Sequence, residues 1–529
     1  MEIGILSKLY DVGLRGALPK FVKNFLEHRK IRVRVKNTYS DLVEITEGVP
    51  QGSVLSCTLF ALAINDVIND LPTGVKATLY VDDLTIYFSG RTTRAIERRL
   101  QQTMNKLQEW SDRTGFCFSE AKTVAMHICR RRKCEKTAHI SLHNTPIICK
   151  ESHMYLGVKL DSSLTWTPHV THLKKECYNR MKLIKHLSHT SWGADAKSLT
   201  RLYQSLIKSK LEYGYEAYGS CSLTNLKKLE PVQNTAMRIA SGAFKTSPIK
   251  SLQVITGLMP MEQARDLKMV KYILRVAVND KNPVHEIINS CGLFEADNAE
   301  EEDNFFKTGF LRRAKIITGK FEVDLSTLAA EGPANSPPWR ISNLTVCNDM
   351  GGYTKSKVPP HIMKTIFRHH LGSHRDNLLL YTDGSKTQEG VAFSVTGGGS
   401  EYSYKLNRNA SIFTAELNGI KEAITRHLGT QKETITILTD SKSSVQAISK
   451  IYSRHFIVQQ IQEIIKSSSK SFALCWVPSH TGVEGNERAD TLARAAIESA
   501  DTLPHLMTRD DIVASCKATA KKIWADSWR

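Results

Sequence analysis

The feature that most narrows the fold is the order of short apolar runs between residues 377 and 500. "LLLYTD", "VAFSV" and "YSYKL" read as three strands, and a helix follows over residues 412–427. A fourth strand "TITILTD", two helices, a strand "FALCWV" and a final helix from Asn486 complete the pattern. Three strands followed by strand–helix alternation specify a mixed sheet flanked by helices. Four acids fall at informative places in it. Asp383 ends the first strand, Glu416 lies early in the first helix, Asp440 ends the fourth strand, and Asp490 sits in the first turn or so of the last helix. Strand ends and helix starts at one edge of a sheet converge on a cleft.

Any one of these acids alone reads more readily as a surface residue or a cap, and Asp440-Ser441 could begin a helix. Four together require divalent cations. Two Mg²⁺ ions about 3.5–4 Å apart, or Mn²⁺ in their place, would make a clamp for in-line attack on a phosphodiester. His480, in the Gly-containing loop of "WVPSHTGVEGNERAD", is placed to assist proton transfer or product release.

The motifs "YTDGS", "TAEL", "LTDS" and "VPSHTGVEGNERAD" resemble type I ribonuclease H over about residues 376–500. The resemblance implies that Asp383, Glu416, Asp440 and Asp490 are metal ligands and that His480 is the mobile histidine. Ser411 matches a position that holds a phosphate of the DNA strand. Two departures stand out. The loop "GSKTQEGVAF" lacks the asparagine often found there, and no Lys/Arg-rich insertion separates Asp440 from His480.

A second acidic feature lies in "TLYVDDLTIYF", where Asp82 and Asp83 sit between two apolar runs of a hairpin. Adjacent carboxylates repel unless a cation lies on them. Upstream stands "EGVPQGSVLSCTLFALAINDV", and downstream stand "GFCFSEAKTVAM" and "YLGVKLD". This ordered set resembles the reverse transcriptases of jockey-like or I-like retrotransposons lacking long terminal repeats, from residue 1 to about 270. The resemblance implies a palm with Asp82 and Asp83 at its metal site. It places Pro50, Gln51 and Gly52 in the template and nucleotide pocket, Lys122 near the triphosphate, and Tyr155, Leu156 and Gly157 in the primer grip. A further aspartate bridging both ions lies upstream of these motifs in the family. The expectation is therefore an amino-terminally truncated chain with an inactive polymerase site.

Charge points to the partner. The formal net charge is +19, which suits a polyanion such as RNA, DNA or their hybrid. Residues 1–270 hold 40 Lys and Arg against 24 Asp and Glu, whereas residues 373–500 hold 14 against 13. Lys174, Lys175, Lys182, Lys185, Arg201 and Lys208 accompany apolar stripes at Leu173, Cys177, Met181, Ile184 and Leu187, and at Leu199, Leu202, Leu206 and Ile207. A basic amphipathic bundle suits a duplex backbone. No segment reaches ~18 uninterrupted apolar residues, and no signal-peptide pattern is present, so an intracellular protein without a membrane partner is expected. The eleven cysteines form no CxxC pair, which favours a reducing compartment. Cys129, Cys134 and His139 fit no common zinc-finger spacing. The "RRRK" run at 130–133 reads as a solvated loop.

The expected organisation is multidomain, α/β and α+β. It comprises a partial palm (1–165), a helical thumb-like region (166–274), a partly irregular connector (275–372), a ribonuclease H domain (373–500) and a tail (501–529). Three functions compete: a hybrid ribonuclease, a non-catalytic nucleic-acid-binding remnant, and a fragment of a full RNA-directed DNA polymerase whose start lies upstream.

Overall fold

The computed structural model describes residues 2–129, 137–290, 309–332, 343–347, 358–372, 376–450, 452–499 and 501–528. The run 130–133, Cys134 and the acidic stretch 292–304 fall outside these residues. The chain divides into two compact units, Met1–His169 and Val170–Arg529.

In the first unit the strands Lys76–Tyr80 and Asp83–Tyr87 pair antiparallel, as the hairpin reading expects. The longest helix, Thr93–Thr114, starts where the Thr92 side chain accepts the Ala95 N–H and stops at left-handed Gly115. Its 3–4 spacing brings Met104, Leu107 and Trp110 into a core with Ile64, Val67, Ile140 and Leu142. A second cluster joins Ile5, Leu9, Val22 and Leu26 to Leu59 and Ala63.

The second unit begins in the helix Thr167–Leu187, whose stripe Leu173, Cys177, Met181 and Ile184 is buried as the spacing predicts. Lys175, Lys182 and Lys185 are exposed. Further helices include Ala196–Tyr203, Glu230–Ser241 and Met261–Ala277.

The sheet of this unit has six strands where five were expected: Leu344–Cys347 (β1), Leu378–Lys386 (β2), Val391–Gly397 (β3), Ser400–Leu406 (β4), Thr434–Thr439 (β5) and Ser471–Trp476 (β6). Their order is β1-β6-β5-β2-β3-β4. β2, β3 and β4 form an antiparallel meander, and β2, β5, β6 and β1 run parallel. Leu380, Val391, Phe393, Ile435, Ile437 and Leu474 of the sheet pack against Leu417, Ile420, Ile424, Ile457 and Ile461 of the helices Ile412–His427 and Phe456–Ser467.

Two segments are more ordered than their composition suggests. The span read as a connector supplies β1 and the helix Pro360–Leu371, whose Met363 and Phe367 pack on Leu438, Ala473, Cys475 and Val477. The span read as a tail contains the helix Arg509–Trp528. There Ile512, Cys516 and Ala520 share a core with Met269, Val270 and Ile273 of Met261–Ala277 and with Ala314 and Ile317 of Phe310–Lys320. Long-range packing, invisible to a local pattern, orders both. Among the described residues no helix is long and apolar enough to cross a membrane.

Candidate functional site

Three of the four sequence-predicted carboxylates meet. One oxygen each from Asp383, Glu416 and Asp440 lies within 4.8 Å of the others. Asp383 lies inside β2 rather than at its end, because the strand continues to Lys386. Asp440 directly follows β5, and its backbone carbonyl accepts the indole N–H of Trp476 at 3.0 Å. Ser441, not Asp440, caps the next helix by accepting the Ser444 N–H.

Glu416 reaches the group because its helix rides close over β2. A Cβ at Gly384 would sit 3.0 Å from the Glu416 nitrogen and 3.2 Å from its Cδ, so a side chain there would press on the Glu416 helix. The Gly384 N–H and the Thr439 hydroxyl, the latter at 3.4 Å, donate to the Glu416 carboxylate. Asp490 stands apart from this trio but near enough for its charge to act on Asp383. Its helix, Glu484–Ser499, lies on β2 and β3, where buried Ala489 and Ala493 permit close packing and Ser394 donates to the Ala489 carbonyl at 2.6 Å. The Arg494 guanidinium pairs with Asp490 at 2.9 Å.

Asp383 and Glu416 are each only 6% exposed. Burial, then the charges of Asp440 and Asp490, push Asp383 up to about 8. Burial, then the charges of Asp383 and Asp440, hold Glu416 well above the usual carboxylate range. All donors are hard carboxylate oxygens, two of them nearly dry, which fits a divalent cation such as Mg²⁺.

A second group gathers beside Asp490, and one member, Glu487, was missed in the sequence. His480, Glu487 and Asp490 present ligand atoms within 4.8 Å of one another. Glu487 accepts the Gly482 N–H at 3.1 Å, tethering the loop that carries exposed His480. The available signal was spacing, since Glu487 lies three residues before Asp490 and therefore on the same helical face. Ser411 caps the helix Ile412–His427, its hydroxyl oxygen accepting the Thr414 N–H at 3.1 Å.

The first unit differs. Asp82 and Asp83 are exposed at the tip of their hairpin, where Val81 has a φ of 56°. Among the described residues no group of three His, Cys, Asp or Glu side chains includes either. Pro50, Gln51 and Gly52 lie in the turn before the helix Val54–Ile64, and Lys122 is an exposed turn residue. Leu156 and Gly157, both at positive φ, form the two-residue turn between Ser152–Tyr155 and Val158–Asp161.

Comparison with known proteins agrees with both resemblances. Residues 5–160 match the family model "Reverse transcriptase (RNA-dependent DNA polymerase)", and residues 375–498 match the model "RNase H". The chain is 28% identical over 243 residues to the "Probable RNA-directed DNA polymerase from transposon BS" of Drosophila melanogaster, covering 45% of this chain and 26% of that protein. It is 26% identical over 228 residues to the RNA-directed DNA polymerase from mobile element jockey of the same organism, covering 42% and 25%. The "Putative 115 kDa protein in type-1 retrotransposable element R1DM", also of Drosophila melanogaster, is 22% identical over 272 residues, covering 51% and 26%. The chain thus spans about a quarter of the length of these relatives. Residues 5–160 are similar to reverse transcriptases and residues 375–498 to RNase H.

Proposed function

We propose that this protein hydrolyses the RNA strand of RNA–DNA hybrids, with Asp383, Glu416, Asp440 and Asp490 holding two Mg²⁺ ions. The observation that carries the proposal is the convergence of Asp383, Glu416 and Asp440, two of them nearly buried. Such an arrangement repels itself unless protons or divalent charge neutralise it. When bound, the ions supply the charge that activates a water and stabilises the departing 3′ oxygen.

The chain's own residues do the rest. The acids fix where the scissile phosphate sits, and burial against Gly384 and Thr439 keeps bulk water away from Glu416. The water oxygen attacks phosphorus and the P–O3′ bond breaks. The products are a 5′-phosphate and a 3′-hydroxyl. The His480 imidazole, held in reach by the Glu487 tether on its loop, moves a proton to or from the reacting oxygens. Hybrid would be selected by shape and 2′-hydroxyl contacts rather than base edges. The exposed lysines of the helix Thr167–Leu187 would contact phosphates.

Residues 1–529 alone would carry out no template-directed synthesis. Asp82 and Asp83 are exposed and have no third carboxylate beside them among the described residues, so two ions would lack a bridging ligand.

The test is cleavage of labelled hybrid, duplex DNA and duplex RNA by the full chain, with Mg²⁺ and with EDTA. Metal-dependent cutting of hybrid alone, leaving 3′-hydroxyl ends, is expected. Hybrid binding without cleavage at any Mg²⁺ or Mn²⁺ concentration would replace the enzyme by a nucleic-acid-binding protein.

A further inference from the structure

The RNase H match ends at residue 498, yet the helix bearing Glu416 is held from beyond that point. Asp511, in the first turn of Arg509–Trp528, is 1% exposed. Its carboxylate accepts the backbone N–H of Ser411 at 2.9 Å and the hydroxyl of Thr414 at 2.7 Å. Ser411 is the N-cap of the Glu416 helix and Thr414 belongs to its first turn. A buried carboxylate bonded to the cap at a helix N-terminus gains from charge-assisted hydrogen bonds and from the helix dipole together.

The anchor is itself fixed. Thr508 accepts the Asp511 N–H at 3.2 Å, and Arg509 pairs with Glu331 at 3.2 Å. Met507 pairs with Leu328 as an isolated parallel bridge, and its N–H donates to the Thr327 carbonyl at 2.7 Å. Further along, Ile512, Cys516 and Ala520 are locked into the core with Met261–Ala277 and Phe310–Lys320. Asp511 therefore links a rigid helical core to the helix that delivers Glu416 one turn later.

Resting on the hydrolytic reading above, we infer that Asp511 is a positioning residue of the nuclease: it sets the placement of Glu416 by clamping the N-terminal turn of its helix. Removing the clamp leaves Glu416 in place chemically but loosens it against Asp383 and Asp440. Groups that orient a ligand from behind commonly cost on the order of 10- to 100-fold in metal affinity or activity when lost.

The test compares the full chain with Asp511→Asn, which keeps the shape and removes the charge. Three readouts are taken: kcat and KM for hybrid, Mn²⁺ affinity by calorimetry, and amide exchange across residues 411–418. The expected result is kcat lower by about 10-fold with KM unchanged, Mn²⁺ affinity weaker by a similar factor, and faster exchange at Ser411 and the first helical turn. Faster exchange with wild-type kcat and wild-type metal affinity would make Asp511 a structural cap and overturn the inference. If the wild type cleaves no hybrid, the hydrolytic reading fails by itself. The positioning role then stands or falls on whether the variant loses Mn²⁺ affinity. Should Asp511→Asn not fold, Thr414→Val removes one of the two bonds, and a smaller loss in the same readouts is expected.

Discussion

Two pairs of acids in this chain, Asp82 with Asp83 and Asp383 with Glu416, look equally suited to a metal when read as letters. In the structure they part. The first two are neighbours in sequence and point from the tip of a two-stranded hairpin into solvent. The second two lie 33 residues apart, are almost fully buried, and meet Asp440 within 4.8 Å. Water screens the first pair at little cost, whereas the second is destabilising unless protonated or neutralised by a cation. Adjacency in sequence is thus a poor guide to electrostatic strain, and convergence in a low-dielectric site is a good one.

The sharpest way to break that comparison is to remove one acid from the buried group. Asp440→Asn is expected to lower hybrid cleavage by about 100-fold or more, measured as a single-turnover rate at saturating substrate. Wild-type cleavage by the variant would remove Asp440 from the site.

Next in size is the salt dependence of binding. Lys175, Lys182 and Lys185 lie on one exposed face of Thr167–Leu187. Replacing all three by Gln should flatten the slope of log K against log[salt] for hybrid by about 2 to 3 units. An unchanged slope would mean that this face does not touch phosphate.

A smaller effect concerns stability. The folded-state value of Asp383 is raised to about 8, and that of Glu416 is raised too, both above their unfolded values near 4. Protons are then held more tightly by the folded chain. The stability they contribute is full below about pH 4 and is lost as pH rises towards 8. Melting in EDTA from pH 5 to 8 should show this fall, Mg²⁺ should reduce it, and Asp383→Asn should raise the EDTA melting temperature at pH 8 by a few degrees. A flat profile in EDTA would mean the acids are not strained as their burial implies.

The smallest effect belongs to the exposed pair. Asp82→Asn should change stability by no more than about 0.5 kcal/mol, read from denaturant melts. Primer extension by the wild-type chain that is lost in Asp82→Ala would show that the pair does gather a third ligand.

Much of the architecture was legible because local patterns are self-contained. The Leu173–Ile184 stripe predicts its helix and its buried face, since a period of 3.6 follows from backbone geometry alone. Glu416 and Asp440 were legible for a related reason, one lying early in its helix and the other directly after its strand, whereas Asp383 lies inside β2 and Asp490 in the second turn of its helix. Glu487 was less legible, its only mark being a turn's distance from Asp490.

What the sequence by itself determined, then, is the elements, the excess of basic charge before residue 271, and the identities of the candidate ligands. Tertiary structure alone decided which three of the four expected acids meet and how dry their site is. It also decided that a supposed connector adds β1 to the sheet and that a supposed tail carries Asp511 to the N-terminal turn of the Glu416 helix. The reason is physical. Burial and hydrogen bonding between residues 100 positions apart depend on how whole helices pack, and neither a period nor a motif encodes that packing.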